Sequence, residues 1–103
     1  MADKRKFSRV EFRTAATFVC KGDTTAVACE TRDLGLGGVF VECAAPPTFG
    51  AEVSVHLQRG GDALVLSGVV RWLGPGGFGV QFGLLGARET HAITEIVRLA
   101  GAT

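Results

Sequence analysis

The sequence predicts a mainly β fold: six antiparallel strands closing into a small barrel, with one C-terminal α-helix. Three observations carry this expectation. Residues Glu52–Gln58 alternate strictly, with Val53, Val55 and Leu57 on one side and Glu52, Ser54, His56 and Gln58 on the other. That is the pattern of a sheet with one dry and one wet face. Fifteen glycines separate a series of short apolar runs, as turns separate strands. From Ala87 the period lengthens: Glu89, Ile93, Ile96, Val97 and Ala100 recur at helical spacing, and Gly101 follows where a C-terminal cap belongs. Six strands closed on themselves leave no sheet edge, and the helix then covers one end or side of the barrel.

The elements follow in order. Residues 1–13 form a basic arm, with Lys4, Arg5, Lys6, Arg9 and Arg13 against only Asp3 and Glu11; residues 14–103 form the barrel domain with its helix. Thr14–Lys21 and Thr24–Arg32 read as the first two strands, joined by a hairpin turn at Gly22-Asp23. Gly38–Cys43 is the third, and Pro46-Pro47 then forces a loop, because proline cannot donate to a ladder. Glu52–Gln58 is the fourth, and Arg59-Gly60-Gly61-Asp62 the next turn. In the fifth, Ala63–Leu73, simple alternation puts Leu64, Leu66, Val70 and Trp72 on one face, so Trp72 is expected in the core or beneath the helix. Gly74-Pro75-Gly76-Gly77 turns the chain into the sixth, Phe78–Phe82.

Composition excludes several function classes. With 103 residues, 47% of them hydrophobic and 20% charged, the chain makes one domain, neither disordered nor a multidomain enzyme. Folding at this length buries roughly 60–68% of the unfolded chain's surface, enough for a core without disulfides or metal. The arm carries +3 and the other residues −2, which together make the net charge of +1, so no broad basic face for long nucleic acid is expected. No apolar run approaches the ~18–20 residues of a membrane span, and the charged N-terminus does not read as a secretory leader. Cys20, Cys29 and Cys43 lack CxxC spacing and read as buried free thiols of a cytoplasmic protein. His56 and His91 stand alone, so no metal site is expected. There is no GxSxG elbow, no carboxylate pair across an apolar cleft and no Cys–His neighbour, so the chain does not read as an enzyme. Gly35-Leu36-Gly37-Gly38 runs into a strand and not a helix, which excludes a dinucleotide fingerprint.

Two segments stand out. Arg5-Lys6-Phe7-Ser8-Arg9 is an RxxxR arrangement ahead of the first strand, and Asp33-Leu34-Gly35-Leu36-Gly37-Gly38 lies between the second and third. RxxxR followed about two dozen residues later by a DxSxxG-like motif resembles the PilZ domain family. The likeness runs over nearly the whole chain and takes in the Thr48-Phe49-Gly50 turn, Gly68-Val69-Val70-Arg71-Trp72, Gly79-Val80-Gln81-Phe82 and the closing helix. The resemblance implies a six-stranded barrel that acts as a receptor for cyclic di-GMP, a bacterial second messenger, without a further cofactor. It implies ligand contacts from Arg5 and Arg9, from Lys6 where many members carry another arginine, and from Asp33 and Gly38. Gly35 takes the serine position, a departure from the pattern.

The chemistry of these residue types suits that ligand. An arginine fork donates two parallel hydrogen bonds to a phosphate or to the O6/N7 edge of guanine, and its flat face stacks on a base. A carboxylate such as Asp33 accepts from the N1–H and amino group of guanine. A glycine lets a base approach the backbone. An arm mobile without ligand would fold over it, order, and create a surface for an unidentified protein partner. The alternative is a degenerate PilZ-like interaction module that binds no nucleotide, which Gly35 favours. Taken alone, the basic arm reads as a solvated tail and the glycine cluster as a tight turn. The cluster leaves open whether Gly35 adopts positive φ. Arg13, which makes a second RxxxR with Arg9, reads as a solvent-facing residue.

Overall fold

The structure is a computed structural model and describes residues 9–59 and 61–101. Its strands are β1 (Arg9–Glu11), β2 (Ala15–Cys20), β3 (Val27–Gly35), β4 (Gly38–Glu42), β5 (Glu52–Arg59), β6 (Asp62–Gly74) and β7 (Gly77–Phe82), followed by helix α1 (Ala87–Gly101). Antiparallel pairing runs β3-β2-β5-β6-β7-β4, and a β4–β3 ladder closes the circle. This is the expected six-stranded barrel. Inward residues of every barrel strand fill it, among them Phe18, Leu34, Val39, Val41, Val55, Leu57, Leu64, Leu66, Val70, Phe78 and Val80, all buried. Ile93 and Ile96 of α1 complete this core, and the helix packs against β1, β3 and β6. Glu89 lies in its first turn and Arg98 in its last, each with the sign the helix dipole favours. Gly101 is the last helical residue, one position earlier than a cap.

The largest departures from the sequence expectation are strand β1 and the two ends of β3. The arm gives up Arg9–Glu11 to strand β1, which pairs with the C-terminal end of β3 in the register Arg9↔Gly35, Val10↔Leu34, Glu11↔Asp33. Having a partner there, β3 continues to Gly35. At its other end it starts only at Val27, because β2 runs out of ladder at the Phe18↔Val27 pair and Thr24–Ala26 are exposed. The connector from β1 to β2 is fixed on β3 as well. Phe12 N–H donates to the Arg32 carbonyl at 3.0 Å, and Thr31 N–H to the Thr14 carbonyl at 2.9 Å. The buried Thr31 hydroxyl donates to the Phe12 carbonyl and accepts from Thr14 N–H. The remainder of the expected arm, residues 1–8, lies outside the described residues.

Two β-bulges set the outer face. One falls between Thr31 and Asp33 in β3, the other between Val70 and Trp72 in β6. An extra residue in one strand reverses the in–out phase beyond it. This corrects the expectation for Trp72. Val70 points into the core, but Trp72 emerges on the outside with 58% of its surface exposed. The three thiols are likewise half-buried and not fully buried.

Candidate functional site

The register places the motif residues on two adjacent cross-strand rows of the outer face. One row runs Glu11, Asp33, Phe40, Gly79, Trp72 over β1, β3, β4, β7 and β6. The neighbouring row begins with Arg9 opposite Gly35 and continues with Gly38 opposite Gln81, itself opposite Val69. Residues distant in sequence are therefore neighbours on one surface.

Arg9 is the best-defined of them. Its Nη1 lies 3.4 Å from Asp33 Oδ1, and the two side chains are only 16% and 27% exposed. Its Nη2 lies over Gly38, within 3.0 Å of where a side chain on that residue would begin. The same side chain would collide with the Val80 carbonyl of β7. Gly38 is thus required by the approach of β7 and by the course of Arg9 above it. Gly35 is buried at the end of β3, and its φ is not positive; among the described residues only Gly22, Gly50, Gly61 and Gly76 have positive φ.

Of the expected site residues, Arg9, Asp33, Gly35 and Gly38 converge here. Arg5 and Lys6 lie outside the described residues. Arg13 stays apart in exposed ion pairs, with Glu11 at 3.0 Å and Glu42 at 3.4 Å.

The structure adds residues that the sequence reading missed. Arg32 and Arg71 are the bulge residues of β3 and β6, at the two ends of this surface. The Arg32 guanidinium stacks 3.8 Å from the centre of the Phe40 ring and lies 3.9 Å from Asp33 Oδ2 and 3.8 Å from Glu42. Phe40 meets Trp72 edge to face, with ring centres 6.1 Å apart. Gly79 lets the two aromatics approach, since a side chain there would press on Trp72 Cβ at 3.2 Å. A cleft of about 760 Å³ begins at Arg9 and the Leu36-Gly37 turn. It passes over Gly79 and Gln81 to Arg71 and Trp72, and is bounded by the Phe82–Leu85 connector and Thr90 of α1. Its size suits a ligand of nucleotide dimensions. No sequence signal marks a bulge; the glycine opposite Trp72 is the one trace that could have been followed.

The family model of the PilZ domain matches residues 3–100. None of the curated proteins matches the chain in sequence. Among solved structures, the PilZ domain of CeSA from a cellulose-synthesizing bacterium superposes with a TM-score of 0.72 at 18% identity, over 92% of this chain and 96% of that one. The Bacillus subtilis inhibitor of motility, MotI/DgrA, superposes with a TM-score of 0.70 at 13% identity, over 92% of this chain and 50% of that one, so the present chain spans half its length. No described helix is long and apolar enough to cross a membrane. With a family match that spans almost the entire chain and a barrel that superposes on solved PilZ domains, this chain belongs to the PilZ domain family, whose members are receptor and adaptor domains, generally for cyclic di-GMP and generally not enzymes.

Proposed function

We propose that this chain is a cyclic di-GMP receptor that passes the signal to a partner protein through its N-terminal arm. The observation that carries the reading is the convergence of Arg9, which lines the cleft, with Asp33 at 3.4 Å, with its strand partner Gly35 and with Gly38 beneath its guanidinium. Arg9 supplies a fork for a phosphate or guanine, Asp33 the complementary acceptor, and Gly38 a backbone close enough for base contact. Arg5 and Lys6 stand immediately upstream of β1 and would close on the ligand from the arm. In this reading Arg9, seated on the barrel by β1, anchors the arm, and ligand binding draws the arm onto the barrel to form the partner's surface. A cytoplasmic location accords with a nucleotide messenger.

Calorimetric titration of the full chain with cyclic di-GMP tests this. Saturable heat, with an affinity that Arg9→Ala and Asp33→Asn each weaken by roughly tenfold or more, is the expected result. A folded protein giving no heat at ~100 μM ligand would sink the proposal. The second reading, an interaction module without nucleotide, draws on Gly35 in the serine position and on Arg9 and Asp33 being each other's partners. It wins if the double variant Arg5→Ala, Arg9→Ala keeps the cellular phenotype that deletion removes.

A further inference from the structure

We propose that Cys29 and Cys43 are a redox pair that closes into a cross-strand disulfide under a peroxide oxidant. One step beyond the Glu30↔Glu42 pair, the β3–β4 register sets Cys29 against Cys43. Both side chains pack against the core, at the end of the β3–β4 hairpin away from the Leu36-Gly37 turn. The pair is of the narrow kind. In an antiparallel strand the N–H and C=O of one residue point to the same side. Cys43 N–H donates to the Gly76 carbonyl, beside β7, at 2.9 Å. Thr31 N–H, two residues along from Cys29, donates to the Thr14 carbonyl on the other flank of β3, also at 2.9 Å. Cys29 and Cys43 therefore turn their backbone groups away from each other, and such facing Cα atoms stand roughly 4.5 Å apart. A disulfide takes Cα atoms ~4.4–6.8 Å apart. Cys20 lies too far to compete: Cys29 stands opposite Ala16 on β2, four residues from Cys20, or roughly 13 Å along the strand.

The two thiols differ in reactivity. Burial pushes both up, Cys29 to about 11, while the Ala45 N–H donates to the Cys43 sulfur and opposes the rise there. Cys43, half-exposed, is thus the thiol that attacks, and Cys29 the one that resolves. The Cys43 sulfur gives up its proton and attacks one peroxide oxygen. The O–O bond breaks, Cys43 becomes a sulfenic acid, and the other oxygen leaves as water. The Cys29 sulfur then attacks the Cys43 sulfur. The S–S bond forms, the S–O bond breaks, and the departing hydroxide takes the Cys29 proton to become a second water. Two thiols are oxidised for one peroxide reduced, and a small dithiol reverses the step by exchange. The bond lies outside the cleft lining and closes the hairpin whose other end holds Asp33, Gly35 and Gly38.

Each cysteine lies on its own tryptic peptide, Cys20 on 14–21, Cys29 on 22–32 and Cys43 on 33–59. Native full-length protein is treated with hydrogen peroxide, its remaining thiols are alkylated, and the non-reduced digest is read by mass spectrometry. The expected product links peptide 22–32 to peptide 33–59, leaves 14–21 alkylated, and disappears on treatment with dithiothreitol. Cys29→Ser and Cys43→Ser should each abolish it, and Cys20→Ser should leave it in place. The urea midpoint of the cross-linked protein should rise by roughly 1 M or more over the reduced form, as closing a loop of this length implies. A cross-link to Cys20, a disulfide between two chains, a bond that forms only in urea, or peroxide-treated protein whose three cysteines all remain open to alkylation overturns the pairing. A midpoint that falls on cross-linking overturns the fit of the bond to the native ladder. The wild-type digest decides the matter even if a serine variant fails to fold.

Discussion

The Arg9 guanidinium and the Asp33 carboxylate, twenty-four positions apart in the chain, meet at 3.4 Å across the β1–β3 ladder. Each is positioned by backbone pairing and not by its own flexibility, since Val10↔Leu34 lies between the two rows. A ligand that takes donors from Arg9 and gives donors to Asp33 exchanges partners with this pair without displacing the strand.

Arg9→Ala is therefore expected to separate binding from folding. Loss of a hydrogen bond from a charged group costs ~1.5–3 kcal/mol, or roughly ten- to 150-fold in cyclic di-GMP affinity. An ion pair that retains some exposure contributes little to the fold, about 1 kcal/mol or less. Calorimetry and a denaturant melt of the same variant check the two halves. A melt that falls as far as that of a core variant would make Arg9 a structural residue.

Gly38→Ala should act in the opposite proportion. A methyl group there meets the Val80 carbonyl of β7 and crowds Arg9 Nη2, so β4 and β7 must separate. Overpacking of this kind costs ~1–3 kcal/mol. The midpoint of a urea melt should drop, and binding should weaken with it because Arg9 is displaced. Normal stability with normal binding would contradict the close approach.

Trp72→Ala tests the phase change in β6. An exposed ring gives up mainly its edge-to-face contact, so the loss should be about 0.5–1.5 kcal/mol. Phe78→Ala, at a fully buried position facing Phe18, should cost ~3–5 kcal/mol. Equal losses in the two melts would return Trp72 to the core.

The barrel and its helix are legible in the sequence because alternation and helical period report directly which side chains are dry. Val53, Val55 and Leu57, and Ile93 and Ile96, all lie where their periods put them. The Arg9, Asp33 and Gly38 grouping is legible only through the spacing of the two motifs. Strand β1 is not, since three residues of mixed polarity gain strand geometry solely from the free edge of β3. Nor is the Trp72 end of the cleft. Strict alternation from Leu64 through Val70 runs straight past the bulge and buries the tryptophan, and nothing local announces an extra residue.

The thiols give a pH prediction. Burial, with a smaller contribution from Cys43 nearby, pushes Cys29 up to about 11 from an ordinary 9.0. The folded state then holds this proton more tightly than the unfolded chain does. The associated stability is complete below pH 9 and is lost as pH rises from 9 through about 11. Urea melts across that window should show the decline, and Cys29→Ala should reduce it, leaving the smaller share of Cys20 and Cys43, whose thiols burial also pushes up. Alkylation of native protein should also leave Cys29 for last, because the thiolate is the reactive form.

Gly35→Ser decides whether the departure from the family pattern weakens the site. Gly35 is paired with Arg9 at the end of β3, and its φ lies outside the left-handed region, so serine can take its backbone conformation without strain. The substitution restores a hydroxyl beside the ligand, about 0.5–1.5 kcal/mol, and removes glycine's excess freedom in the unfolded chain, about 0.5–1 kcal/mol. The hydroxyl acts on the bound state, so cyclic di-GMP should bind roughly two- to twelvefold tighter. The second contribution acts on folding, so the melting temperature should rise by a few degrees, at about 4–8 °C per kcal/mol for a chain of this size. The two measurements separate the causes. Tighter binding with an unchanged melt assigns the gain to the hydroxyl, and a higher melt with unchanged binding assigns it to the strand. Weaker binding with an unchanged melt means that the ligand approaches Gly35 too closely for any side chain, and that the serine position of the motif is used differently in this chain.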